Sequence, residues 1–180
     1  MVRVIAGEAR GRKLKTLDSE STKPTLDRVK EAMFSILTPY VIGAKVLDLF
    51  AGNGALGLEA LSRGAKSCDF NDFSGDCCKI IRENAKIVSC EDRAAVTQRE
   101  FTEFIARSAC DYDLILLDPP YGKGFAEEAL RLISAKLPED SDAVAMCEHS
   151  ADDGMPETIG RFTKIKDKRY GTVALTLYKI

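Results

Sequence analysis

The segment Asp118-Pro119-Pro120-Tyr121 offers groups that can hold an amino group attached to a flat ring. Proline has no backbone N–H, so two prolines in succession stiffen the turn and leave its carbonyl groups as uncontested acceptors. The Asp118 carboxylate and the Pro119 carbonyl can accept hydrogen bonds from an exocyclic NH₂ group, and Tyr121 offers a ring for stacking. We assign all four residues to the catalytic site, and Asp118 also to the cofactor site.

A second stretch, from Lys45 to Gly57, has the pattern of a site that binds a ligand through its backbone. Val46 to Phe50 is a short apolar run with one acid, which predicts a buried strand. Glycines follow at once, and Ala55 to Leu61 predicts a helix. Glycines let the backbone approach a ligand closely, and a helix N-terminus has free N–H groups. Read literally, the pattern is the G-x-G-x-x-G of a dinucleotide site.

Asp48, near the end of that strand, argues against a dinucleotide. Its carboxylate would repel a pyrophosphate on the helix N-terminus. S-adenosylmethionine (SAM) has no phosphate, and Asp48 can pair with the ammonium of its methionyl part. The pattern Asp-x-Phe-x-Gly-x-Gly resembles motif I of class I SAM-dependent methyltransferases. It assigns five residues to the cofactor: Asp48, Phe50, Gly52, Asn53 and Gly54. A nucleotide-binding oxidoreductase, or a plain turn with a solvated acid, is the alternative.

The first segment fits the same reading, because Asp118-Pro119-Pro120-Tyr121 follows the predicted buried strand Leu114 to Leu117. It resembles the [Asp/Asn]-Pro-Pro-[Tyr/Phe/Trp] signature of amino-methyltransferases. Those enzymes methylate nitrogens conjugated to a π-system: adenine N6, cytosine N4, guanine N2 or a glutamine amide.

An acid and an aromatic residue also follow the second predicted strand. Asp72 lies 20 positions after Gly52, the distance at which an acid accepts hydrogen bonds from ribose hydroxyls in nucleotide-binding units. Asn71 and Asp69 compete for this register, and a helix N-cap acid is the alternative to a ribose contact. We assign Asp72 and the adjacent Phe73 to the cofactor.

The third predicted strand ends in the same way. Glu100 can meet the adenine amine and Phe101 can pack on the adenine ring, although a helix-capping acid explains Glu100 equally well. Thr25, which follows Pro24 and is expected to cap the first helix, completes the candidates for the cofactor site.

Positive charge is concentrated in two stretches of a chain whose net charge is −2. Residues 9–15 hold four positive charges and no acid, and residues 161–169 hold five positive charges and one acid. These stretches can form a phosphate-binding face, or they can be ordinary solvated surface. The RNA-binding candidates are Arg10, Arg12, Lys13, Lys15, Lys168 and Arg169.

Composition places the 180-residue chain among soluble globular proteins, with 45% hydrophobic and 30% charged residues. The sequence has no apolar run of membrane-spanning length and no signal-peptide core, so we expect a cytoplasmic monomer without a membrane partner. Six cysteines without a C-x-x-C pair, and a single histidine, His149, argue against a metal site. We expect the cysteines to be reduced thiols.

Strands alternate with helices along the chain, which predicts a mostly parallel α/β sheet, with a terminal hairpin adding antiparallel strands. Pro39 and Gly43 are expected to end the first helix. We predict a single domain, residues 1–180, in which residues 1–22 form a small basic β arm and residues 23–180 a Rossmann-like core.

The chain as a whole resembles the RsmD-type bacterial ribosomal RNA methyltransferases. The resemblance rests on residues 3–7, 10–14, 23–31, 48–54, 118–121 and 168–171. It implies a seven-stranded class I fold that binds SAM along the strand C-termini and methylates guanine N2 in 16S (small-subunit) rRNA, free or in the assembling subunit. Asp72 and Glu100 depart from the family, which usually has Glu and Asp at these positions.

Two other classes of function remain open from the sequence. One is an amino-methyltransferase that acts on adenine N6 or cytosine N4 of nucleic acid, or on a protein glutamine. The other is the nucleotide-binding oxidoreductase, which Asp48 disfavours.

Overall fold

The computed structural model describes residues 2–17 and 24–180, and in residues 24–26 the backbone only. The predicted boundary between arm and core therefore lies outside the described residues. The helices are α1 (Pro24–Val41), α2 (Ala55–Ser62), α3 (Gly75–Ile87), α4 (Phe101–Arg107) and α5 (Phe125–Ser134). The strands are β1 (Lys45–Asp48), β2 (Ser67–Asp72), β3 (Ala94–Gln98), β4 (Leu114–Leu117), β5 (Val144–Ser150), β6 (Thr158–Ile159), β7 (Phe162–Tyr170) and β8 (Val173–Lys179).

These strands form one sheet in the order β3-β2-β1-β4-β5-β8-β7-β6. The first five are parallel, and β8, β7 and β6 are antiparallel. The alternating α/β architecture and the terminal hairpin are confirmed. Eight strands replace the expected seven because the two-residue strand β6 pairs with the start of β7.

The order of the strands reverses direction between β1 and β4, which are hydrogen-bonded neighbours. Ligands of open α/β sheets bind outside the carboxyl ends of the strands at such a switch point. The glycine turn after β1 and the Asp118 segment after β4 therefore meet at one edge of the sheet.

The central strands are buried on both faces, as the apolar run of β4 illustrates. Leu114 and Leu116 pack in one core with α1, α2 and α3. Ile115 and Leu117 pack in a second core with α4 and α5. Two helical layers thus hold the sheet rigid beneath its carboxyl edge, where the predicted site lies.

Helix α1 passes through Pro39 and ends at Val41, so the prediction that Pro39 ends it is wrong. Proline cannot donate to the carbonyl four residues earlier, which belongs to Ser35. Ser35 is exposed, so water can satisfy that carbonyl, while Leu37 and Val41 keep the last turns packed on the core.

The N-terminal arm is a short loop closed by a bridge between Arg3 and Lys13. It docks on α2 through Glu59, whose fully buried carboxylate accepts from the backbone N–H of Ile5 at 2.8 Å and of Ala6 at 3.0 Å. Lys30 Nζ lies 3.3 Å from the same carboxylate and partly compensates its buried charge. The arm is therefore fixed to α2 at Ile5 and Ala6, close to its N-terminal end.

The turn between β1 and α2 depends on an unusually close approach of α2 to the sheet. A Cβ atom at Gly57 would lie 2.3 Å from the Phe70 ring of β2, so only glycine fits there without displacement. Gly54, which precedes α2, has a left-handed backbone with φ of 80° and offers no side chain to cap the helix.

Asp48 supplies the missing cap from the neighbouring strand. Its Oδ2 accepts a hydrogen bond from the Gly57 N–H at 2.9 Å, which is one of the free donors in the first turn of α2. Its Oδ1 is buried and has no hydrogen-bond partner among the described residues. Burial raises the pKa of Asp48 to about 7, although the bond from Gly57 opposes the shift.

The substitution Asp48→Asn should remove a pH dependence of stability. The pKa of Asp48 rises from the ordinary 3.8 to about 7 on folding. The stability that this group contributes is therefore fully present below about pH 4 and is lost as the pH rises to about 7. The wild-type free energy of unfolding should therefore fall, relative to the variant, by a few kcal/mol over that range, since one pKa unit is worth about 1.4 kcal/mol. Urea unfolding at a series of pH values measures this difference.

Asp140→Asn, at an exposed loop position after α5, is the matched control. Its difference from wild type should stay constant with pH. A constant difference for Asp48→Asn as well would contradict the buried, raised-pKa state of this carboxyl.

Candidate active site

A cavity of about 450 Å³ opens at the carboxyl edge of the sheet, where β1, β2, β3 and β4 end. Its lining consists of Leu49, Phe50, Gly52, residues 71–73, residues 99–101, residues 118–121 and Phe125. Sequence segments far apart in the chain thus meet here. Most of the predicted cofactor and catalytic residues line this single cavity.

Three phenylalanine rings form one apolar cluster in the cavity. The ring centroids of Phe50 and Phe101 lie 5.2 Å apart, and Phe125 lies 5.2 Å from Phe101 and 6.3 Å from Phe50. Phe73 stands at the rim with 68% of its surface exposed. Aromatic faces of this kind suit a flat heterocycle.

Asp72 holds the glycine turn from the end of β2. Its Oδ2 accepts from the Gly52 N–H at 2.9 Å and its Oδ1 from the Ser74 N–H at 2.8 Å. Each carboxylate oxygen can accept more than one hydrogen bond, so these contacts leave acceptor capacity on the cavity side.

The two competitors of Asp72 are engaged elsewhere. Asn71 also lines the cavity, but its Nδ2 donates to the Leu49 and Arg99 carbonyls. Asp69 accepts from the Tyr112 hydroxyl at 2.8 Å and does not line the cavity. Asp72 is therefore the strand-end acid of β2 that faces the cavity.

Glu100 stands immediately before α4, as the capping alternative requires, but its side chain makes no capping hydrogen bond. The side chain is exposed and lines the cavity instead. Phe101 is buried beside it. This arrangement favours a ligand contact for Glu100 over a helix cap.

The Asp118–Tyr121 segment forms one wall of the cavity. Asp118 is exposed and Pro119 is buried. The Tyr121 hydroxyl donates a hydrogen bond to Glu148 Oε1 at 2.9 Å, which fixes the direction of the ring. Burial and the adjacent negative charges raise the pKa of Tyr121 far above its usual value, so the phenol stays protonated.

Three predicted cofactor residues do not line the cavity. Asp48 faces Gly57, so a direct pairing with a cofactor ammonium would require its carboxylate to turn away from α2. Asn53 is buried and its Oδ1 accepts from the Ala55 N–H at 3.1 Å, so it shapes the turn, as Gly54 does. Thr25 lies inside α1, which begins at Pro24, so the prediction that Thr25 caps this helix is wrong. Its side chain lies outside the described residues.

The predicted RNA-binding residues come from two segments, the N-terminal arm and β7. Arg10, Arg12 and Lys13 are exposed on the arm, where Lys15 pairs with Glu83 at 2.7 Å.

The basic residues of β7 are divided between its two faces. Lys168 lies in a groove beside α1, whereas the Arg169 guanidinium lies 3.5 Å from Asp152. Arg161 has a structural role, since it donates to the carbonyls of Leu137, Pro138 and Glu139.

The sequence did not predict a second cavity of about 410 Å³, which adjoins the first at Pro119, Pro120 and Tyr121. The two cavities share Pro119, Pro120, Tyr121 and Phe125. Glu148, near the carboxyl end of β5, lines the second cavity and is 8% exposed. The position of Glu148 near the end of a predicted strand could have made it a site candidate. The same kind of position made Asp72 and Glu100 candidates.

Within the described ranges, no helix combines the length and apolar character that a membrane crossing needs.

Comparison with known proteins shows the same architecture and similar sequences. The family model described as "Conserved hypothetical protein 95" matches residues 2–179. Ribosomal RNA small subunit methyltransferase D of Haemophilus influenzae is 36% identical over 183 residues, covering 99% of this chain and 93% of that protein. The Escherichia coli K12 protein of the same name is 33% identical over 178 residues, covering 99% and 89%.

A solved structure from Escherichia coli, described as a candidate methyltransferase, has a TM-score of 0.88 at 31% identity and covers 99% of this chain and 97% of that one. The resemblance seen in the sequence is thereby confirmed over nearly the whole chain. This protein belongs to the RsmD-type family of bacterial ribosomal RNA methyltransferases.

Proposed function

We propose that this protein transfers the methyl group of SAM to the exocyclic N2 amine of a guanine in 16S (small-subunit) rRNA. One observation carries the proposal: Pro119, Pro120 and Tyr121 line two cavities, and the adjacent Asp118 lines the first of them. One cavity is large and aromatic, and the other presents a buried acceptor. A wall that touches both a cofactor and an amine is what direct transfer between them requires.

The first cavity fits SAM in size and in chemistry. Its volume of about 450 Å³ falls within the range of small-molecule sites. The rings of Phe50, Phe101 and Phe125 suit the adenine, with Glu100 as acceptor for its amine. Asp72 suits the ribose hydroxyls. These assignments place the methionyl end toward the glycine turn and Asp118.

The residues around the wall would act mainly by orientation. SAM supplies an electrophilic methyl group on a positively charged sulfur. The Asp118 carboxylate and the Pro119 carbonyl accept the amine hydrogens, which directs the nitrogen lone pair toward that methyl group. The Tyr121 ring holds the base in plane by stacking. No strong base is needed before the transfer, and the amine proton leaves afterwards.

The choice of rRNA comes from the relatives, two of which are named for methylating small-subunit ribosomal RNA. A target base within folded RNA must be exposed or flipped to reach Tyr121. We expect the basic arm to help here, because exposed arginine and lysine residues contact phosphates and contribute affinity rather than base selection. A cytoplasmic, monomeric enzyme is consistent with this substrate.

The reaction is tested by incubating the protein with SAM and with small subunits or rRNA that lack the modification. Mass spectrometry should identify N2-methylguanosine as the product. In single-turnover experiments, Asp118→Ala should slow the transfer at least about a hundredfold, because orientation is its main contribution, while SAM binding measured by calorimetry should stay largely intact.

Asp140→Ala, at an exposed position outside the cavity lining, is the matched control and should behave as wild type. Methylated adenine, cytosine or protein glutamine as product would contradict the guanine assignment. Undiminished transfer by Asp118→Ala would contradict the proposed role of that carboxylate.

Neutralising the arm by Arg10→Gln, Arg12→Gln and Lys13→Gln together should weaken RNA binding and reduce its dependence on salt. Each lost phosphate contact should lower the slope of log affinity against log salt by roughly 0.7 for single-stranded RNA. SAM affinity should not change, because the arm does not line the cofactor cavity. Binding titrations at several salt concentrations measure the slope.

The control variant carries Lys79→Gln, Arg107→Gln and Arg131→Gln, an equal change of charge at three exposed cations that pair with acids on their own helices. If both triple variants show the wild-type slope, the arm is ordinary solvated surface.

A further inference from the structure

Glu148 is a buried acid that the proposed transfer step does not use. Only 8% of the surface of Glu148 is exposed, and this residue lines the second cavity. The described contact of its carboxylate is the hydrogen bond from the Tyr121 hydroxyl at 2.9 Å. A carboxylate can accept several hydrogen bonds, so this contact leaves capacity for a ligand.

Among the residues that the structure describes, the Tyr121 hydroxyl is the group that donates a hydrogen bond to the Glu148 carboxylate. The adjacent His149 ring is held by the Thr176 hydroxyl at 2.8 Å and the Ser150 carbonyl at 2.9 Å. Burial raises the pKa of Glu148, and the Tyr121 hydrogen bond opposes that shift. Hydrogen-bond donors from a ligand would favour the ionised form in the same way as Tyr121 does.

The second cavity suits a neutral ring with donors rather than a phosphate. Asp152 and Asp153 also line it, so its acids would repel an anion. Tyr121 forms the common wall with the cofactor cavity and is 44% exposed, which leaves part of its ring free for stacking. A base stacked on Tyr121 would therefore present its hydrogen-bonding edge near Glu148, which accepts a hydrogen bond from the Tyr121 hydroxyl.

Guanine differs from the other amino bases in what stands beside its amine. Its ring nitrogen N1 carries a hydrogen, so N1–H and the N2 amine form two adjacent donors on one edge. In adenine and cytosine, the ring nitrogen beside the amine is an unprotonated acceptor. A carboxylate attracts the first pattern and repels the second, and a site built for a hydrogen bond strongly rejects analogues that lack it.

We propose that Glu148 accepts the N1–H of the target guanine and so selects guanine over other amino bases. The inference rests on the proposed function and adds to it the residue that reads the base. Asp118 then orients the reacting amine, and Glu148 accepts from the neighbouring ring nitrogen. The Tyr121 ring, which Glu148 holds by a hydrogen bond, stacks on the base.

The test uses 2-aminopurine, which keeps the N2 amine but has an unprotonated N1 and no O6. Small-subunit rRNA is joined from two pieces so that the methylated guanine, once mapped, is replaced by this base. Wild type should prefer the guanine RNA by at least about tenfold in kcat/KM, since the carboxylate faces a lone pair in the analogue.

The substitution Glu148→Gln should reduce that preference at least about tenfold, because the amide NH₂ can donate to the unprotonated N1 of 2-aminopurine. Glu157→Gln, an exposed position outside both cavities, is the matched control and should keep the wild-type preference. Equal loss of rate with both RNAs would assign Glu148 only to positioning Tyr121 and overturn the inference.

Two further outcomes separate this inference from the proposed function. If wild type forms no N2-methylguanosine, the proposed function fails. If wild type forms it but treats 2-aminopurine RNA like guanine RNA, only the reading by Glu148 fails, and this result needs no variant.

Discussion

Two carboxylates hold the glycine turn in place, and the rest of the site depends on them. Asp72 of β2 accepts from the Gly52 N–H, and Asp48 of β1 accepts from the Gly57 N–H, each at 2.9 Å. Together they fix both ends of the turn, whose N-cap residue Gly54 has no side chain to cap α2. Gly52 of this turn borders the first cavity, whereas the Asp48 carboxylate does not line it.

Close packing explains why acids are used for this purpose. Gly57 lies so near the Phe70 ring that α2 has no room for a larger residue there. Asp48 can cap the helix only from beneath, where it is buried and its pKa is raised. Burial of the ionised carboxyl lowers the stability of the fold, while its hydrogen bond to Gly57 holds the first turn of α2 in place.

The sequence predicted local structure and the meeting of motifs well, because both follow from short-range rules. The strand, glycine turn and helix of residues 46–61 and the turn at residues 118–121 are local patterns, and parallel strands bring their carboxyl ends to one edge. Asp72, Glu100 and Tyr121, predicted from these patterns, accordingly line the same cavity. Pro39 was misjudged because packing of the last turns of α1 outweighs one lost hydrogen bond.

The remaining features depend on long-range packing, which a single sequence does not specify. The direction of the Asp48 carboxylate depends on Gly57 and Phe70, and the structural use of Arg161 depends on carbonyls more than twenty residues away. Glu148 becomes a candidate only when β5 places it beside Tyr121.

The central claim is that the two cavities on either side of the Asp118–Tyr121 wall divide the work, one for the cofactor and one for the base. A crystal structure with S-adenosylhomocysteine tests this most directly. We predict that its adenine lies among Phe50, Phe101 and Phe125, its ribose hydroxyls at Asp72 and its sulfur facing the wall, with the second cavity left open for the base. Density for the nucleoside in the cavity beside Glu148 would contradict the account.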